Sequence, residues 1–238
     1  MTAEKPRVSF IIPAFNEERA LPACLHSILT LKRIGVPFEV IVVDNNSTDQ
    51  TAMVAESSGT RVVPCIAQGI AAARNEGARH AHGEFLAFID ADARVSQGWL
   101  NAALLGTEKS GVVTGWNYFR ESNVFFRLYF NSYSIVFFAL QSLSRFFGKT
   151  IVAGNNLVIR RDLFDRAGGF PCYVGEDVKL ARILSSQKVI PSFCLGMIVS
   201  YSSRRFRKQG FLRTLVLWIT SLFSDISEHD YRLDYGNL

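Results

Sequence analysis

Asp90 and Asp92 are separated by one alanine and follow the apolar run 84–89, so a tight turn there aims two carboxylates into the same space beyond a strand end. Two hard oxygen ligands suit Mg2+ or Mn2+. A cation so held would bridge diphosphate oxygens and neutralise a departing anion. The pattern is short, and on an ordinary surface turn the same acids are solvated or cap a helix. Asp44, Asn45, Asn46, Ser47, Thr48 and Asp49 follow a second apolar run, where such groups either hydrogen-bond a base or ribose or simply build a turn. Arg74, beside Asn75, offers a guanidinium for a base or a phosphate if it points inward, and is a surface helix arginine if it does not. Glu176 and Asp177 open a helix after Gly175. The macrodipole there favours an ionised carboxylate and so a base that is deprotonated at neutral pH, although acids in a first turn are also ordinary caps. Arg204, Arg205, Arg207 and Lys208 form a basic run that would meet a diphosphate across a cleft, or face water or anionic lipid.

The elements that must position these residues alternate. Apolar runs at 8–12, 38–43, 61–64, 84–89 and 111–116 read as strands, and 17–32, 50–57, 69–81 and a segment starting near Ser96 read as helices. Strands without polar alternation imply an α/β fold, a mostly parallel sheet with helices on both faces. Ligands of such sheets bind beyond the carboxyl ends of the strands, where Asn16, Asp44 and Asp90 fall. Beyond 116 the alternation stops at an aromatic stretch, 124–147. Strands are then expected at 151–159 and 188–200, with a helix at 176–185 between them.

The chain has 238 residues, 48% apolar and 20% charged, which fits one large globular domain and excludes a disordered chain. Its net charge of +5 hints at anionic partners without selecting among them. Cys24, Cys65, Cys172 and Cys194 form no C-x-x-C pair, so neither a zinc knuckle nor a disulfide framework is indicated. Residues 1–7 show no secretory leader pattern, and a cytoplasmic location is expected. No G-x-G-x-x-G follows the first strand, and Gly148-Lys149-Thr150 lacks the upstream glycine of a P-loop.

Taken in order, Ile12-Pro13-Ala14-Phe15-Asn16-Glu17, Val42-Val43-Asp44-Asn45-Asn46-Ser47-Thr48-Asp49, Ala73-Arg74-Asn75, Phe88-Ile89-Asp90-Ala91-Asp92 and Gly175-Glu176-Asp177 resemble the motifs of family 2 glycosyltransferases of GT-A fold, over residues 8–205. The resemblance implies a Rossmann-like central sheet and a metal-dependent, inverting hexosyl transfer from a nucleotide-sugar donor, with UDP the expected nucleotide and GDP or dTDP the alternatives. By that resemblance Pro13, Ala14, Asn16, Glu17, Asp44, Asn46, Arg74, Asp90 and Ala91 surround the nucleotide, and Asp92 with Asp90 holds Mn2+ or Mg2+. Asp177 would be the base, and Gly154, Asn155, Asn156 and Glu176 would line the donor-sugar and acceptor side. The Gln-x-x-Arg-Trp motif of processive members is missing, since Gln209 precedes Gly210, Phe211 and Leu212, so a single transfer is expected. Arg204 or Arg205, near that point, is expected to contact the diphosphate.

Two segments carry polar residues at helical spacing beside broad apolar faces. In 124–147 these are Arg127, Asn131, Ser134, Gln141 and Arg145, and in 206–224 they are Gln209, Arg213, Thr220 and Ser224. Residues 1–205 are thus expected to form the catalytic domain and 206–238 an amphipathic helix and tail. A membrane surface, the rest of the domain or the second subunit of a homodimer would cover such faces. A membrane surface implies a peripheral position on the inner face of the cell membrane and a lipid-linked acceptor, and a glycan acceptor is the other expectation. No nucleic-acid partner is expected. A sugar nucleotidyltransferase would want a Gly-rich, basic first loop, which 14–17 is not, and a non-catalytic nucleotide-sugar binding or scaffold protein would not need both acidic sites.

Overall fold

The computed structural model describes residues 4–120, 124–146, 152–172 and 175–202. Its first strand, β1 (Val8–Ala14), is buried at every position. Side chains leave a strand alternately on opposite faces, so such a strand needs cover on both. Val8, Phe10, Ile12 and Ala14 enter one core with α1 (Leu21–Leu29) and α4 (Trp99–Ser110). Ile11 enters a second core with α3 (Ile70–His80), α6 (Arg161–Ala167) and α7 (Glu176–Ser186). Gly77 lets α3 lie close to the sheet, since a methyl group there would stand 2.4 Å from Ile11 Cγ2 and 2.9 Å from Val43 Cγ2.

The remaining strands are β2 (Phe38–Asp44), β3 (Arg61–Pro64), β4 (Phe85–Ile89), β5 (Arg94–Val95), β6 (Val112–Arg120), β7 (Asn156–Arg160) and β8 (Ser192–Ser202), in the sheet order β3-β2-β1-β4-β7-β6-β8-β5. β5 and β7 run against the other six. The parallel strands end at one edge, at Ala14, Asp44, Ile89 and Arg120. Because β7 is reversed, its first residue, Asn156, pairs with the last residue of β4, Ile89. The loop that enters β7 therefore joins the loops that leave β1, β2 and β4.

The structure differs from the sequence expectation in several elements. β1 continues through Pro13. Its ladder with β4 stops at Ile11, so the missing N–H costs no bond on that side. The strand expected at 151–159 is confined to Asn156–Arg160, with Gly154 and Asn155 in the turn before it. The strand expected at 188–200 begins at Ser192. The two-residue β5 and the seven-residue α6 are too short to leave a periodic signal.

The aromatic stretch is one helix, α5 (Val124–Phe146), and it turns Asn131, Ser134 and Gln141 of its polar stripe toward the protein. Ser134 and Gln141 are buried, whereas Val124, Leu128, Ile135, Val136 and Leu143 are exposed. The β6–β7 ladder ends at Thr114, and α5 packs beside the rest of β6. There the Asn131 side chain accepts a bond from Phe119 N at 2.9 Å and donates one to Phe119 O at 3.2 Å. Phe138 fills the space between Trp116 and Phe193, with centroids at 5.9 and 4.9 Å. Among the described residues no helix is long and apolar enough to cross a membrane.

Candidate active site

The loops after β1 and β2 are laced to each other at the edge where the parallel strands end. Asn16, at φ 52°, accepts from Thr48 N at 2.8 Å, and its own N–H donates to Ser47 Oγ at 3.0 Å. Glu17 N donates to Thr51 Oγ1 at 2.8 Å and Glu18 N to Asp49 Oδ2 at 3.1 Å. Asp44 accepts from Ser47 N at 3.3 Å and stays partly exposed at the end of β2. Asn45 is buried and structural: its amide donates to Cys65 O and Ala67 O and accepts from Gly69 N. Asn46 uses its amide NH2 on Cys65 O and Ile66 O, both at 3.1 Å. Pro13, Ala14 and Ala91 are buried beneath this rim.

Asp90 and Asp92 lie in the turn after β4, both partly buried. Ala93 N closes the turn on Asp90 O at 3.0 Å, and the buried Cys24 thiol donates to the same oxygen at 3.5 Å. Burial first, then Asp92 and Asp90, hold that thiol far above the ordinary cysteine range, so it stays protonated. Asp92 O accepts from Arg120 Nη2 at 3.5 Å. Tyr201, on β8, donates its hydroxyl to Asn155 O at 2.8 Å, and burial with Asp90 and Asp92 raises its pKa well above the usual value. Cys24, Arg120 and Tyr201 carry no sequence signal for this place, because the packing of α1, β6 and β8 brings them here.

Arg74 points inward from α3. Its Nη2 lies 3.0 Å from Asp90 Oδ1, its Nη1 lies 2.8 Å from Glu176 Oε1, and its side chain is 3% exposed. Burial opposes its charge, but Asp90, Glu176 and Asp177 outweigh burial and raise its pKa. The guanidinium carbon sits 5.2 Å from the centre of the Phe170 ring. Gly154 crosses directly above: a methyl group there would stand 2.8 Å from Arg74 Nη1 and 3.4 Å from Asp177 Cβ.

Glu176 and Asp177 form the first turn of α7, as expected, and Asp177 is shifted in the direction opposite to the pull of the helix end. Burial and then the neighbouring Glu176 push the Asp177 carboxyl up to about 6, against Arg74 and the N–H groups of Val178 and Gly154, which pull it down. Desolvation outweighs the favourable helix terminus. At neutral pH the group is still mostly ionised, and it titrates near the range a general base needs. The expectation for Asn156 is corrected. It is fully buried, accepts from Trp99 Nε1 at 2.9 Å and donates to Met197 O at 3.0 Å, so it braces the sheet behind the cleft. Arg204, Arg205 and the segment 206–238 lie outside the described residues.

The acids at this edge suit a divalent cation. Arg74 bonds the carboxylates of Asp90 and Glu176, and Arg120 reaches only the backbone carbonyl of Asp92. Among the described residues no cluster of three or more metal-ligating side chains forms. Mg2+ and similar ions at diphosphate sites need only one or two carboxylates, with phosphate and water completing the shell.

Solved structures share this fold. The chain superposes on the mannosyltransferase PcManGT from Pyrobaculum calidifontis, solved with GDP-Man and Mn2+, with a TM-score of 0.60 at 23% identity, over 91% of this chain and 65% of that one. S. aureus TarS 1-349 with UDP gives 0.61 at 17% identity, over 93% and 67%. The fold is GT-A. The family model Glycosyl transferase family 2 matches residues 9–168, and the chain belongs to that family. It is a glycosyltransferase by class, which sets aside the nucleotidyltransferase alternative. Glycosyltransferase AglE of Haloferax volcanii is 29% identical over 219 residues, 87% of this chain and 70% of AglE. The chain thus spans about two thirds of each of these proteins.

Proposed function

We propose that the chain catalyses a single, metal-dependent, inverting transfer of a hexosyl group from a nucleotide sugar, with UDP as the nucleotide, to an acceptor hydroxyl. The observation that carries the reading is the bridge formed by Arg74, which ties the Asp90–Asp92 turn to the helix end bearing Asp177. In this reading the laced loops around Asn16, Glu17, Asp44 and Asn46 hold the nucleoside against Pro13 and Ala14, and Asp92, with Asp90, binds the cation. The cation supplies neutralisation of the leaving diphosphate. Asp177, at a pKa of about 6, takes the proton of the acceptor hydroxyl as its oxygen bonds to the anomeric carbon and the carbon–oxygen bond to the diphosphate breaks on the opposite face. Gly154, Asn155 and Glu176 border the space between donor and acceptor, and Arg204 or Arg205 is assigned to the diphosphate.

The exposed side of α5 supports an apolar, lipid-linked acceptor and contact with a membrane surface. It presents Val124, Leu128, Ile135, Val136 and Leu143. Incubating the protein with UDP-, GDP- and dTDP-sugars and Mn2+ tests the reading. Metal-dependent release of nucleoside diphosphate is expected with a UDP-sugar and is abolished by EDTA. Nucleotide binding without turnover of any donor, or turnover that ignores EDTA, would overturn it.

A further inference from the structure

Four segments distant in sequence converge on one guanidinium. α3 supplies Arg74, the turn after β4 supplies Asp90, the loop entering β7 supplies Gly154, and α7 supplies Glu176 beside Asp177. Two nitrogens of Arg74 are committed to carboxylates on different elements, and its Nε is buried without a partner. The bare Cα of Gly154 and the Phe170 ring leave the group no room to swing outward. A planar fork with two outward N–H arms can span two carboxylates at a fixed separation, which the single ammonium of lysine cannot.

We infer that Arg74, expected from the resemblance to border the nucleotide, is instead a positioning residue: buried and committed to Asp90 and Glu176, it touches neither donor nor acceptor and fixes the distance between the half of the site that holds the diphosphate and the half that holds the base. The inference rests on the proposed roles of Asp90 and Asp177. A bond made between protein groups on both sides of the reacting atoms governs how donor and acceptor are aligned, and misalignment of about 1 Å costs on the order of 100-fold in rate. It does not govern how tightly the nucleotide is held. Gly154 belongs to the same device, because only glycine lets the backbone cross the guanidinium at this distance.

Arg74→Gln, Arg74→Lys and Gly154→Ala separate this role from a direct contact. Each is read by kcat and by the dissociation constant of UDP with Mn2+. The expected result for Arg74→Gln is a kcat loss of about 100-fold with UDP affinity within about threefold of wild type. Arg74→Lys should recover part of the loss, since it keeps the charge but bonds one carboxylate at a time. Gly154→Ala leaves the charge intact, displaces the guanidinium and should lower kcat in the same direction, which keeps the test open if Arg74→Gln does not fold. UDP affinity that falls in step with kcat would make Arg74 a donor contact and overturn the inference, as would an unchanged kcat in both Arg74→Gln and Gly154→Ala. A wild-type protein that binds no nucleoside diphosphate would overturn the reading of the site itself. Wild-type transfer alongside an unaffected Arg74→Gln would overturn only the positioning role.

Discussion

Asp177 shows how a residue's neighbours set its chemistry. Its carboxyl titrates at about 6 because burial and Glu176 raise it from the ordinary value of 3.8 further than Arg74 lowers it. A base works only when ionised, so kcat is expected to fall about tenfold per pH unit below about 6. A profile flat down to pH 5 would remove Asp177 from that role. Because the folded value lies above the unfolded one, the ionised group opposes folding, and this cost is full above pH 6, fades as pH falls and is gone below 3.8. Asp177→Asn is therefore expected to lower turnover by about 100- to 10,000-fold and yet, at pH 7, to raise the midpoint of urea unfolding. Loss of both activity and stability would point to a packing role instead. Asp90, Asp92 and Asp177 were legible in the sequence because each follows a strand end or opens a helix. The shift on Asp177 was not, since its largest cause is burial, which comes from the packing of segments distant in the chain, and the groups that oppose it, Arg74 and Gly154, are 103 and 23 positions away.

At the scale of elements, α5 reverses the usual relation between polarity and exposure. Its periodicity was plain in the sequence, but which side would meet the protein was not. That was decided by where the β6–β7 ladder stops, which no local pattern encodes. Asn131 serves the backbone of Phe119 in place of a neighbouring strand. Asn131→Leu, which would make the helix look more regular, is expected to destabilise the fold by about 1 to 3 kcal/mol. Ile135→Ser, on the exposed side, should stay within about 0.5 kcal/mol. Denaturant titration of the two variants checks this, and equal effects would mean that the helix meets the protein through its apolar side. The strands β1 and β4 were readable for the opposite reason: cover on both faces buries them throughout, a signal that needs no tertiary context.

Across the whole molecule, the side of the site proposed to take the nucleotide is built from two segments whose backbone N–H groups are bound by each other's side chains. A ligand that settles on such a rim binds the folded chain alone and stabilises it by mass action. UDP at about 100 times its dissociation constant, with Mn2+ present, is expected to add about 2.7 kcal/mol and to raise the thermal midpoint by a few degrees. EDTA should cancel most of that gain, while an equal gain with and without metal would argue that the acids at 90 and 92 do not hold a cation for the diphosphate. The parallel half of the sheet was visible in the alternation of runs. The reversed strand was not, because a short apolar run looks alike in either direction.

That reversal leaves the stretch from 121 to 155 in an unusual position. It departs from the end of β6 and returns at the start of β7, and both points lie on the rim of the cleft. A segment pinned at both ends on the same edge can grow or shrink with a closure cost that rises only with the logarithm of its length. Whatever is spliced there must keep the α5 contacts that complete β6, Asn131 on the Phe119 backbone and Phe138 between Trp116 and Phe193. The sheet thus offers one edge at which the length of a connection can vary between strands that are already paired.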